Sequence, residues 1–119
     1  MSSLFETRRL QDWINAVLGI LLFISPWVLR YNAEPAASWT AWISGALIVA
    51  LAAAALRAFA EWEEWLNLLL GLWVFLAPWL LGFTAVGAAL WAHVALGLLV
   101  AFVAGWEIWQ VWHRPHAAA

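Results

Sequence analysis

The sequence predicts an all-α fold: a bundle of four transmembrane helices built from two parallel two-helix repeats. Three observations carry that prediction. The chain is too apolar to be stable in water alone. Four apolar runs of membrane-spanning length are separated by charges and turn residues. The chain also matches itself at a fixed offset.

Of 119 residues, 67% are hydrophobic, 16% aromatic and only 10% charged, with a mean hydropathy of +0.88. A soluble domain is about 45–50% apolar and about 25% charged. A chain this short cannot hide such an excess, because its surface is large relative to its volume. Lipid is therefore the expected surrounding, and a disordered chain is excluded. Five arginines and no lysine, with a net charge of -2, argue against a nucleic-acid partner. No cysteine is present, which removes disulfides, thiolate metal sites and cysteine nucleophiles.

The first run extends from about Trp13 to Tyr31, the second from Trp39 to Leu56, the third from Trp65 to Phe83 and the fourth from Ala88 to Trp109. A helix rising about 1.5 Å per residue needs about 20 residues to cross a core of about 30 Å. Helices are expected rather than a barrel, since Val17–Ile24 and Leu68–Leu72 lack the alternation of a barrel strand. The expected organisation is an N-terminal segment 1–12, a first repeat 13–58, an acidic linker 59–64, a second repeat 65–112 and a tail 113–119. Arg8, Arg9, Arg57 and Arg114 fall on one side and Arg30 alone on the other. The arginine bias predicts that both termini, and the linker, are cytoplasmic. Eleven of the 12 tryptophans fall near span ends, where the indole prefers the headgroup level. Only Trp73 is at mid-span.

Shifting the chain by 52 residues places Trp13 on Trp65, Asn15 on Asn67, Gly19 on Gly71, Phe23 on Phe75 and Pro26-Trp27 on Pro78-Trp79. Further on, Trp39 falls on Trp91, Gly45 on Gly97 and Ala52 on Ala104. Shared apolar composition does not produce Trp, Asn, Gly and Pro-Trp in one register, so the chain is read as an internal duplication. Each unit holds two spans, so both start on the same side and are related by an axis along the membrane normal. The duplication also argues against reading the first run as a cleaved signal peptide.

With Ser25-Pro26-Trp27 and its second copy Ala77-Pro78-Trp79, the chain resembles the SPW repeat family of small bacterial membrane proteins. The resemblance covers Trp13 to about Trp106 and implies a four-helix integral protein of the bacterial inner membrane. It carries no activity, so no catalytic residue is transferred. Serine is absent from the second copy, so its hydroxyl is not required in both halves.

Several residues stand out on chemical grounds. Pro26 and Pro78 each remove a backbone donor near a span end, where Ser25, a neighbouring helix or water must satisfy the carbonyl set loose. Asn15, Gly19, Phe23 and Trp27 lie four apart, as do Asn67, Gly71, Phe75 and Trp79, so each set marks one helical face. Glycine admits close helix approach and asparagine can bond across helices, so Asn15, Gly19, Asn67 and Gly71 are read as packing residues. Gly97, Ala101 and Gly105 form a similar face in the fourth span, and Ala46, Ala50 and Ala54 in the second. Glu107 is expected to pair with Arg57 at the interface, with no further acid deep enough for a proton relay. His93 is expected at the interface beside Trp91. With Ala89 one turn earlier, it resembles a pigment ligand of light-harvesting polypeptides over two residues only. His113 is 20 residues away, about 30 Å of helix, and His116 is further still, so neither can share a metal or haem with it.

No catalytic site, cofactor or metal is expected. The leading functional expectation is a non-enzymatic structural or accessory subunit in the lipid bilayer, packing with itself as a homo-oligomer or with a larger membrane complex. The alternatives are a transporter or channel for a small weakly polar solute and, more remotely, a pigment subunit using His93.

Overall fold

The computed structural model describes residues 2–58 and 61–113, with residues 2–8 described as backbone only. Four helices run in order: α1 Ser2–Val28, α2 Pro35–Arg57, α3 Glu61–Leu80 and α4 Gly87–His113. No strand occurs among the described residues. The molecule is elongated, 52 × 21 × 17 Å, so its long dimension exceeds a hydrocarbon core of about 30 Å. α1 packs chiefly on α2 and α3 chiefly on α4, while α1–α4 and α2–α3 contacts close the ring. Each repeat is therefore a helical hairpin.

Helix boundaries follow local chemistry. Pro35 opens α2, where its missing N–H costs nothing. Glu61, Glu63 and Glu64 occupy the first turn of α3, where negative charge complements the helix dipole. These acids therefore begin the helix, whereas the sequence placed them in a linker. α1 likewise begins at Ser2, before the expected first span at Trp13. Arg114 and His116, used in the sequence reading, lie outside the described residues.

α1 and α3 end alike, two residues beyond Pro26 and Pro78. Arg30 (φ 62°) and Gly82 (φ 74°) then take the left-handed conformation, 52 residues apart. Tyr31 N–H donates to the Pro26 carbonyl, and Phe83 N–H to the Pro78 carbonyl, both at 2.9 Å. Glu34 N–H to Tyr31 and Val86 N–H to Phe83 repeat the same relation. Glycine suits such a position, whereas arginine at the first copy accepts a conformation uncommon for side-chain-bearing residues. The duplication is thus visible in backbone geometry as well as in sequence.

Three helices are long and apolar enough to cross a membrane: Arg9–Val28, Pro35–Arg57 and Gly87–His113. α3 has the length, 20 residues or about 30 Å, but carries Glu61, Glu63, Glu64 and Asn67. Glu63, Glu64 and Asn67 are buried against the other helices, so the outward surface of α3 remains apolar through Leu66, Leu69, Leu72, Trp73 and Leu76.

Leu18, Leu22, Ala41, Ile48, Val74, Val100 and Val103 fill the middle of the bundle. The closest helix contacts are backbone against backbone. A Cβ built on Gly19 would stand 2.9 Å from the Gly45 carbonyl oxygen, and one on Gly45 2.7 Å from that of Gly19. The second repeat makes the same pair. A Cβ on Gly71 would meet the Ala101 nitrogen at 2.6 Å, and one on Gly97 the Phe75 nitrogen at 2.6 Å. Gly105, expected in this packing face, is half-buried with open space where its Cβ would be. Ala46 and Ala50 face outward and Ala54 is half-buried, because α2 turns Ala41, Gly45, Ile48, Ala52 and Ala55 to the core instead.

No tryptophan is buried: all are exposed except Trp42, which is half-buried and stacks on Trp27 at 5.2 Å. Their place on the lipid-facing surface is what interfacial anchoring requires.

Candidate functional site

Two groups of buried polar side chains occupy opposite ends of the bundle. One lies at the end where α1 begins and α4 finishes, the other among the α1–α2 and α3–α4 connections.

At the first of these ends, position 52 residues apart again governs the arrangement. Asp12 on α1 and Glu64 on α3 are equivalent positions, each just before the repeated tryptophan, and each is followed three residues later by Asn15 or Asn67. Residues three apart share a helical face. All four are buried, Glu64, Asn15 and Asn67 completely. The third acid is Glu107, only 1% exposed. One carboxylate oxygen from each of Asp12, Glu64 and Glu107 lies within 4.8 Å of the other two. No N–H or hydroxyl donates to either oxygen of Glu64 or Glu107, whose carboxyl groups meet each other and that of Asp12, and neither polar atom of Asn15, Asn67 or the buried Gln11 has a hydrogen-bond partner.

Glu107 therefore does not pair with Arg57 as the sequence suggested. It shares the inward face of α4 with Val100, Val103, Ala104 and Ile108, all buried, while Arg57 is exposed at the end of α2. The equivalent of Glu107 in the first repeat is Ala55, also buried, so this acid breaks the pseudo-symmetry. The sequence expected no acid deeper in the core than Glu107 and did not anticipate that Asp12 and Glu64 are buried beside it at the same end of the bundle. The two asparagines are buried as their stripe implied, but they make no bond across helices. Sequence reasoning missed the cluster because it cut each span at its tryptophan. The signal was the register itself, which puts Asp12 on Glu64.

Glu61 stands apart from this cluster. Its carboxylate accepts from the indoles of Trp65 on its own helix (3.0 Å) and Trp112 on α4 (2.9 Å), tying the start of α3 to the end of α4.

At the opposite end, Ser25 performs the task that its place before Pro26 implies. Proline at 26 leaves the Leu22 carbonyl without its helical donor, and the Ser25 hydroxyl donates to that carbonyl at 2.7 Å. With its only proton so used, Ser25 accepts from the Tyr31 hydroxyl. Ser38 donates to the Tyr31 carbonyl at 2.9 Å. In the second repeat Ser25 becomes Ala77 and Tyr31 becomes Phe83, so both hydroxyls are missing together.

His93 lies in this group, fully buried rather than interfacial. Its ring meets Phe83 edge-on at 4.9 Å and Tyr31 at 6.3 Å. Nδ1 donates to the Ala89 carbonyl at 2.8 Å, since a carbonyl can only accept. Nε2 is buried without a partner. His113, by contrast, is exposed and stacks on Trp109 at 4.8 Å.

The hydroxyl pair gives a sharp expectation. Ser25→Ala strands the Leu22 carbonyl and the Tyr31 hydroxyl, and should cost about 1–3 kcal/mol in detergent unfolding. Adding Tyr31→Phe removes the stranded hydroxyl and should restore part of that loss. A double variant less stable than Ser25→Ala would contradict this coupling.

Between the two polar groups the apolar layer is closed, with Leu22, Ile48, Val74 and Val100 each at most 1% exposed. Two shallow surface grooves among the described residues are apolar, one along α4 and one between α1 and α2. One of about 440 Å³ is lined by Ala101, Phe102, Gly105, Trp106 and Trp109. Another of about 430 Å³ is bounded by Phe23, Trp27, Trp39, Trp42, Ile43 and Ala46.

Among known proteins, no curated relative and no solved structure matches the sequence. A family match does exist: the SPW repeat domain matches residues 9–107, a stretch that takes in both Pro-Trp motifs and all three clustered carboxylates. With most of its length covered by that match, the chain belongs to the SPW repeat family and is a small membrane protein.

Proposed function

We propose that this SPW-repeat protein is a non-enzymatic structural or accessory subunit of the bacterial inner membrane, with both termini in the cytoplasm. The observation that carries this reading is the closed apolar layer between the two buried polar groups. Among the described residues it separates them with packed side chains such as Leu22, Ile48, Val74 and Val100. The hydroxyls support the non-enzymatic part. Ser25, Ser38 and Thr40 each donate to a backbone carbonyl, and His93 is committed at Nδ1 to Ala89, so these hydroxyls serve the backbone rather than a base. The orientation rests on the arginine count.

A transporter or channel is the second reading, favoured by the buried acids, since ionisable groups inside membrane proteins often mark ion routes. A pigment role for His93 is supported less, because Phe83 and Tyr31 enclose its ring. Extraction of native membranes into polymer-bounded lipid discs, with mass measurement, tests the subunit reading. The expected result is a species heavier than the 13.3 kDa chain and no solute flux from reconstituted liposomes. A single chain alone, combined with flux above empty vesicles, would put the transporter first.

A further inference from the structure

We propose that Asp12, Glu64 and Glu107 form a binding site for a divalent cation of calcium size, with Asn15 and Asn67 as neighbouring oxygen donors. The three acids come from α1, α3 and α4, so a cation held there would join both repeats. One oxygen from each lies within 4.8 Å of the others. Calcium takes oxygen ligands at about 2.3–2.6 Å, so ligands across its shell stand up to about 5 Å apart. Magnesium bonds at about 2.0–2.1 Å and demands a near-ideal octahedron, whereas calcium accepts flexible geometry, so ligands drawn from three separate helices suit calcium better.

Acidic residues close together are not by themselves a site. The second observation is the pair of amides. Asn15 and Asn67 are fully buried, and neither the oxygen nor the nitrogen of either side chain has a partner. Each lies one turn further into the bundle on the face that carries Asp12 or Glu64. Buried carboxamides are normally satisfied. An all-oxygen set of carboxylates and amide carbonyls is the donor chemistry of hard cations, not of zinc or copper. Protons shared among the carboxyl groups are the alternative way to relieve their repulsion. The charge of the cation offsets burial of the carboxylates and its coordination shell takes up the amide oxygens. The subunit reading does not depend on this cluster.

The test uses the full chain in detergent, stripped with a chelator, and titrated with Ca2+ by calorimetry and with Mn2+ by electron paramagnetic resonance. The expected result is saturable binding of a single ion per chain, a rise of several degrees in unfolding temperature with Ca2+, and weaker binding of Mg2+. Glu64→Gln and Glu107→Gln should each lower affinity at least tenfold, and Asn67→Leu less. Glu34→Gln, in the exposed α1–α2 connection, should change nothing. If Glu64→Gln fails to fold, Glu107→Ala provides the same test with the residue that the first repeat has at Ala55. No binding of Ca2+ or Mn2+ at millimolar concentration would overturn the proposal. Binding that survives the Glu64→Gln, Glu107→Gln double variant would do so too. A protonated-carboxyl infrared band that vanishes in Glu107→Gln, without cation binding, would assign the cluster to protons instead.

Discussion

Alanine at Gly71 or Gly97 should destabilise the second hairpin by about 1–3 kcal/mol, and leucine at either should prevent native packing. The reason is where the added carbon lands. At Gly71 it would stand 2.6 Å from a backbone nitrogen of α4 and 2.8 Å from the Gly97 carbonyl oxygen. Backbone cannot swing aside as a flexible side chain can, so α3 and α4 must separate. Separation would loosen contacts along both helices, including Val74 against Val100. Gly19 and Gly45 should behave in the same way, with Gly19 milder because two of its three nearest atoms are side-chain methyls of Val49 and Ile48. Gly105→Ala is the control. Open space surrounds that position, and alanine favours a helix interior over glycine by up to about 1 kcal/mol. Unfolding of each variant by sodium dodecyl sulfate, followed by circular dichroism, measures the set. Equal effects at Gly97 and Gly105 would contradict the contact geometry.

Glu107→Gln should raise the stability of the chelator-stripped protein by about 1.5–3 kcal/mol. It removes one of three buried acids and introduces an amide that can donate to a neighbouring carboxylate, a bond to a charged group worth about that much. The amide has almost the volume of the acid, so no cavity offsets the gain. Added Ca2+ should reverse the order of wild type and variant. A variant less stable than wild type in chelator would show that the acid is held by contacts other than its repulsive neighbours.

Much of the architecture was legible because its markers are residues that lipid does not select at random. Pro-Trp, the paired asparagines and the glycines recur in one register, and the structure repeats them down to the Arg30 and Gly82 turns. Alanine carries no such information. Ala46, Ala50 and Ala54 have the same spacing as a packing face, yet face outward or stand half-buried, because α2 is oriented by Gly45 against Gly19. The polar cluster was only partly legible. Asp12 and Glu64 stand next to interfacial tryptophans, so hydropathy assigns them to the water side, while helix continuation turns them into the bundle. Glu107 has no counterpart in the first repeat, and only the buried face formed by Val100, Val103 and Ala104 places it among the other acids. His93 similarly replaces an equivalent alanine, Ala41, and its burial depends on Phe83 from the preceding connection.

The central claim is that both hairpins cross the membrane in the same direction, and α3, with its acids turned inward, is the helix on which that claim depends. The absence of native cysteine makes single-cysteine labelling free of background. Cysteines placed at the exposed Ala33, Ala58 and Ala85 in sealed membranes, and treated with a membrane-impermeant maleimide, report the side of each connection directly. The account predicts that Ala33→Cys and Ala85→Cys react from one side and Ala58→Cys only from the other. Reaction of Ala33→Cys and Ala85→Cys from opposite sides would contradict it.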